Sequence, residues 1–181
     1  MPFNIRTTEI NEVLVITPRS FSDERGYFKE TFKESSFKEY GIDHEFKQDN
    51  ESFSKKGVLR GLHYQLEPMA QGKLVRVIQG AVFDVALDMR KDSKTFGKWV
   101  SEILTANNQE IFWIPPGFAH GFLALEDSIL VYKATNEYSK DHERGIIWND
   151  EELRISWPIK MPQLIERDLQ FPQFKEAEMN F

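Results

Sequence analysis

Apolar and polar positions alternate along this chain in short runs, each closed by turn residues. Val13 to Thr17, Gly26 to Phe32, Lys73 to Gln79, Ala81 to Leu87, Lys98 to Leu104, Glu110 to Ile114, Gly121 to Leu125 and Ile129 to Thr135 read as strands. The punctuation between them is Gln79-Gly80, Asn107-Asn108, Pro115-Pro116-Gly117 and Glu126-Asp127-Ser128. Many short strands with frequent turns predict an all-β sandwich or barrel. One segment predicts a helix, Ser36 to Tyr40, with Ser36 and Glu39 spaced as a capping box and Gly41 as its stop. A second helical turn is expected near Asp150 to Leu153. From Trp157 onward, prolines at 158, 162 and 172 predict an extended wrap around the core rather than a central strand. With no linker, repeat or low-complexity tract, one domain over residues 1–181 is expected.

Composition sharpens this picture. At 181 residues with 40% hydrophobic content the chain can bury a full core, and its 15 scattered phenylalanines favour a broad sheet core over a bundle. A formal net charge of -6 argues against a general nucleic-acid binder, which needs a basic face. It leaves room for one local basic pocket drawn from Arg25, Lys47, Arg60, Lys73 and Arg76. The absence of cysteine removes thiol nucleophiles, zinc–thiolate sites and disulfides together. The N-terminus lacks the charged start and apolar core of a signal peptide, and no apolar run reaches membrane-spanning length. A soluble cytoplasmic protein with no membrane partner is the expectation.

The richest stretch for chemistry is Gly57-Val58-Leu59-Arg60-Gly61-Leu62-His63-Tyr64-Gln65. It sets an imidazole, which exchanges protons near neutrality, beside a guanidinium suited to phosphate or carboxylate. Taken alone, His63 is equally compatible with a hydrogen-bonded core histidine. Further on, Pro115-Pro116-Gly117-Phe118-Ala119-His120 has the P-x-G-x-x-H pattern of the second motif of cupin barrels. Arg25-Gly26 with Phe28 and Glu30, Gln48-Asp49-Asn50, the Arg60 to Gln65 run, Lys73, His120-Gly121-Phe122, Tyr132-Lys133 and Trp148-Asn149-Asp150 complete an ordered series. This series, from about Val13 to Asp168, closely resembles the dTDP-4-dehydrorhamnose 3,5-epimerase family. The resemblance implies a cupin-type jelly roll with a few short peripheral helices, and a homodimer.

Many cupins bind a divalent ion through an H-x-H pair, a Glu and a third His. Here the first motif reads His63-Tyr64-Gln65, with His120 as the only second candidate, so a metal-free site without cofactor is expected. His44 and His142 sit among polar residues and read as surface positions. Acid–base chemistry remains, and the resemblance assigns its parts. His63 would be the base, Asp168 its orienter, Lys73 the cation that stabilises an enolate oxygen, and Tyr132 the acid that delivers a proton to the opposite face. Without the resemblance, Asp168 reads as an exposed turn residue, Lys73 as an edge charge and Tyr132 as a packed barrel residue.

The substrate implied is dTDP-4-dehydro-6-deoxy-D-glucose, inverted at C3 and C5 to dTDP-4-dehydro-L-rhamnose. By the same resemblance, Arg60 and Arg25 would hold the diphosphate, Glu30, Gln48 and Asn50 the base or sugar, and Phe28 and Tyr138 would stack on thymine. His120, Glu143 and Arg167 also match binding positions, and Arg25 and Glu30 would act across a dimer interface. In a regular strand Arg60 and His63 face opposite sides, so a bulge or bend at Gly61 is expected. The rival readings are a single-carbon epimerase, a ketoisomerase, and a silent nucleotide-sugar-binding cupin.

Overall fold

Each apolar run buries one face and gives its backbone groups to a neighbouring strand. The computed structural model describes residues 2–181. The chain opens with β1 (Phe3–Thr7), β2 (Leu14–Pro18), a hairpin of β3 (Ser20–Asp23) and β4 (Gly26–Lys29), and helix α1 (Glu34–Glu39). Then come β5 (Gln48–Ser54), β6 (Leu59–Gln65), β7 (Lys73–Gln79), β8 (Ala81–Asp88), β9 (Trp99–Thr105), β10 (Ile111–Ile114), β11 (Phe118–Ala124), β12 (Ser128–Ala134) and β13 (Glu143–Gly145). Helix α2 (Glu166–Leu169) and a 3-10 turn (Phe174–Glu176) close it.

These strands form a jelly-roll sandwich with two antiparallel main sheets. One has six strands in the order β1-β2-β10-β7-β12-β5, the other five in the order β13-β6-β11-β8-β9. Between them lies an apolar layer that includes Val15, Val75, Val77, Val82, Phe112, Phe118, Phe122 and Leu130. Burying such a side chain contributes about 1.5–3 kcal/mol, so this layer fixes which face of each strand turns inward. The outer face of the five-stranded sheet is covered by the C-terminal segment, where Leu62, Tyr64, Leu87 and Ile146 pack with Leu153, Trp157 and Phe174. The outer face of the six-stranded sheet is covered in part by α1, where Phe37 joins Phe3, Ile16, Leu74 and Trp113.

The helices differ from the sequence expectation. Helix α1 begins at Glu34 with Lys33 as N-cap and no side-chain cap, so Ser36 and Glu39 form no capping box. Burial of Phe37 sets the helix position instead. Its end follows the expectation, with Gly41 at φ +84°. There the Gly41 N–H donates to the Lys38 carbonyl and the Ile42 N–H to the Phe37 carbonyl, a Schellman closure with Phe37 and Ile42 in apolar contact. Residues 150–153 form a turn rather than a helix, because the Asp150 carboxylate takes the Glu152 and Leu153 N–H groups and Arg154 turns left-handed at φ 47°. His142 is half-buried and hydrogen-bonds the Ser139 hydroxyl at 2.7 Å, whereas His44 is exposed as expected.

Candidate active site

The site is built on the glycine kink in β6. His63 pairs with His120 and Arg60 with Phe122, so β6 spends one more residue than β11 over this span. Gly61 adopts φ +120°, and a Cβ there would lie 2.6 Å from the Gly121 Cα. Only a glycine allows that turn at that approach. The extra residue brings Arg60 to the inward side beside His63, which is the irregularity expected from alternation. Both then line a cavity of about 440 Å³ together with Asn50, Lys73, His120, Tyr132, Arg167 and Asp168.

On one wall, His63 Nε2 lies 3.0 Å from Asp168 Oδ1. Asp168 is 1% exposed, carried in on α2, and also accepts the Gly61 N–H at 3.3 Å. Burial pushes its carboxyl up, but the His63 hydrogen bond and charge, the Gly61 N–H and Arg167 outweigh that and hold it below the usual range. An ionised Asp168 places the imidazole proton on Nε2 and leaves Nδ1 as the basic nitrogen. Phe171 packs edge-on against the His63 ring at 5.5 Å and lies against Gly145, where any Cβ would strike its ring.

A second histidine–carboxylate pair lies behind this one. Asp84 Oδ1 is 2.9 Å from His120 Nε2, and both side chains are buried between the sheets. Burial pushes the His120 imidazole down against the pull of Asp84, and burial likewise pushes the Asp84 carboxyl up. The six-stranded sheet supplies the facing wall. Its Lys73 Nζ lies 5.9 Å from the Tyr132 ring centroid. Burial lowers Lys73 to about 8, opposed by Asp84 and Glu143, so it stays largely protonated at neutrality. Burial raises the Tyr132 phenol, opposed by Arg60, so it keeps its proton and can donate it. A base on one sheet and an acid on the other can reach opposite faces of a planar intermediate held between them.

Other expected residues join through hydrogen bonds. Gln48 donates to Asn50 Oδ1 at 2.8 Å and accepts the Tyr138 N–H at 2.7 Å. The Tyr138 hydroxyl and Arg167 both donate to Glu143 Oε2 at 2.8 Å, and Arg167 lies 3.6 Å from Asp168. Arg25, Phe28 and Glu30 do not line this cavity. Arg25 and Phe28 lie on the β3–β4 hairpin, where Arg25 is ion-paired with Asp23 and Phe28 is 68% exposed. Of the basic candidates, Arg60 and Lys73 line the cavity, whereas Arg76 lines a separate groove beside β7 and β12.

Sequence reasoning missed Asp84, Ser54 and Phe171. Asp84 carried a signal: a carboxylate inside the apolar run Val82-Phe83-Asp84-Val85-Ala86 must find a partner once that strand is buried. Ser54 carried none, yet its Oγ accepts Arg60 Nε at 2.9 Å while the Phe53 carbonyl takes Nη2 at 3.1 Å. Among the described residues, no group of three or more His, Cys, Asp or Glu side chains could hold a metal ion.

A cupin-type jelly roll whose one cavity gathers an imidazole–carboxylate pair, a lysine and a tyrosine fits the isomerase class, in which such groups can move protons. Comparison with known proteins carries that class to a family. The dTDP-4-dehydrorhamnose 3,5-epimerase family model matches residues 7–176. The dTDP-4-dehydrorhamnose 3,5-epimerase of Shigella flexneri is 54% identical over 177 residues, 97% of this chain and 98% of that one. The solved structure of the Sulfolobus tokodaii dTDP-4-dehydrorhamnose 3,5-epimerase aligns with a TM-score of 0.93 at 48% identity, covering 99% of both chains. A Legionella pneumophila Philadelphia 1 dTDP-6-deoxy-D-glucose-3,5-epimerase, solved with dTDP-4-keto-L-rhamnose, aligns with a TM-score of 0.93 at 46% identity over 96% of this chain and 94% of that one. The chain belongs to the dTDP-4-dehydrorhamnose 3,5-epimerase family.

Proposed function

We propose that this chain, as a single domain, inverts C3 and C5 of dTDP-4-dehydro-6-deoxy-D-glucose to give dTDP-4-dehydro-L-rhamnose, a step of dTDP-L-rhamnose synthesis. The observation that carries this reading is the His63–Asp168 pair facing Lys73 and Tyr132 across one cavity. His63 Nδ1 takes the proton from the carbon beside the ketone, and the C–H electron pair moves into the C4 carbonyl to form an enolate. Lys73 stabilises the enolate oxygen, an effect commonly worth about 3–4 kcal/mol per donor. Tyr132 then gives its proton to the opposite face of that carbon, and both residues recover their protonation states by exchange with solvent. The C4 ketone flanks both C3 and C5, so one set of groups serves both inversions.

Arg60, pinned by Ser54 and the Phe53 carbonyl, is placed to take the diphosphate. Arg25, Phe28 and Glu30 complete the nucleotide site of a second copy in a homodimer. The exposure of Phe21, Tyr27 and Phe28 on one hairpin supports this, since such an aromatic patch favours a protein partner. A nucleotide-linked substrate also suits the cytoplasm. The test is product analysis by NMR after incubation with dTDP-4-dehydro-6-deoxy-D-glucose. A product inverted at both carbons supports the assignment, a single inversion makes the chain a monoepimerase, and bound but unchanged substrate makes it a silent binding protein.

A further inference from the structure

Two buried polar atoms in the site, Asn50 Nδ2 and Ser52 Oγ, have no protein hydrogen-bond partner. Both residues line the cavity that holds His63, Lys73 and Tyr132. A buried donor left unpaired costs about 1–3 kcal/mol, so two in adjacent inward positions of one strand indicate groups kept for a ligand. The neighbouring hydrogen bonds fix what Asn50 offers. The Tyr138 N–H must meet the carbonyl oxygen of Gln48, which turns the Gln48 amide nitrogen toward Asn50 Oδ1. Nδ2 of Asn50 is therefore the unspent group, and it is a donor.

The register then places the ligand atoms. Inward positions of β5 recur every second residue, and along β12 Asn50 stands opposite Tyr132, Ser52 opposite Leu130 and Ser54 opposite Ser128. Ser54 is the residue that holds Arg60. Ser52 thus lies midway between the position level with the proposed proton donor and the position that holds the proposed diphosphate cation. Two residues of strand span about 7 Å, the scale of a pyranose ring with its anomeric oxygen.

We infer that Ser52 is a further substrate-binding residue. Its hydroxyl, with Asn50 Nδ2, donates to the anomeric oxygen and the adjoining phosphate oxygens that link the sugar to the diphosphate. This placement rests on the sugar-nucleotide reading above. It requires a ligand with acceptor oxygens midway between a reacting ring and an anion, which a glycosyl diphosphate supplies and a nucleoside monophosphate does not.

Ser52→Ala tests the inference by calorimetry with two unreactive probes, dTDP-glucose and dTMP. The expected result is about a tenfold loss of affinity for dTDP-glucose and none for dTMP, with the melting temperature of the free protein unchanged or raised because an unpaired buried hydroxyl is gone. In turnover the same variant should raise KM about tenfold and leave kcat within a few-fold. Unchanged dTDP-glucose affinity, equal weakening of both probes, or a fall in melting temperature without a loss of binding would each overturn the role. Wild-type protein that binds dTDP-glucose but does not epimerise the ketosugar refutes the proposed function, while the two-probe comparison still reads the placement of Ser52.

Discussion

Asp168→Asn keeps the shape of the side chain and removes its charge, which makes it the sharpest probe of the His63 base. The wild-type carboxylate lies 3.0 Å from His63 Nε2 and is 1% exposed, while the His63 side chain is 25% exposed. At an effective dielectric constant of about 20, a unit charge at that separation stabilises an imidazolium by about 5 kcal/mol, close to four decades in rate. Screening at the exposed side of His63 and competition from Arg167 at 3.6 Å reduce this, so a loss of about a thousandfold in kcat is expected. An asparagine that turns its NH2 toward Nε2 also drives the ring proton to Nδ1, the nitrogen needed as base. The assay follows deuterium uptake into substrate in heavy water, with 15N NMR of His63 to read the tautomer. Activity within tenfold of wild type, or an unchanged tautomer, would refute the orienting role of Asp168.

Three further outcomes follow from the same geometry. Because burial lowers Lys73 to about 8, its charge is present below that pH and lost above it, so kcat/KM should fall about tenfold per unit above pH 8. Lys73→Arg should abolish that limb in a pH–rate profile, and Lys73→Met should lose about 100- to 1000-fold in kcat. Tyr132→Phe should still exchange the substrate proton with deuterium through His63 but return it with retained configuration, so NMR that finds inverted product at wild-type rate would remove Tyr132 as the donor. Gly61→Ala places a Cβ 2.6 Å from the Gly121 backbone at φ +120°. A loss of about 3 kcal/mol or more in chemical denaturation is expected, and a loss below about 1 kcal/mol would show that the close approach can relax.

The strands that were legible in the sequence are those with apolar alternation, and β7 ends where its pattern predicts. β5 left no such trace because its inward residues, Gln48, Asn50, Ser52 and Ser54, line or brace the site rather than the apolar core. The kink in β6 was readable from Gly61 because alternation alone could not put Arg60 and His63 on one side. Helix α2 has four residues and buries Asp168, so it has neither the length nor the apolar stripe that marks a helix. His63 stood out in the Gly57–Gln65 run itself, and the resemblance singled out the roles of Lys73, Tyr132 and Asp168, whereas Asp84, Ser54 and Phe171 act through contacts that the folded chain brings together. The hairpin residues Arg25 and Phe28 lie apart from the cavity within one chain, and the role proposed for them needs a second copy.

Whether His63 is the base that exchanges protons at both carbons is read by incubating wild type and His63→Asn with dTDP-4-dehydro-6-deoxy-D-glucose in heavy water and locating the label by mass spectrometry and NMR. Deuterium at both C3 and C5 with inverted configuration is expected for wild type. No label above background is expected for His63→Asn, together with retained binding of dTDP-glucose. Label confined to one carbon in wild type, or label at the wild-type rate in His63→Asn, would contradict that role.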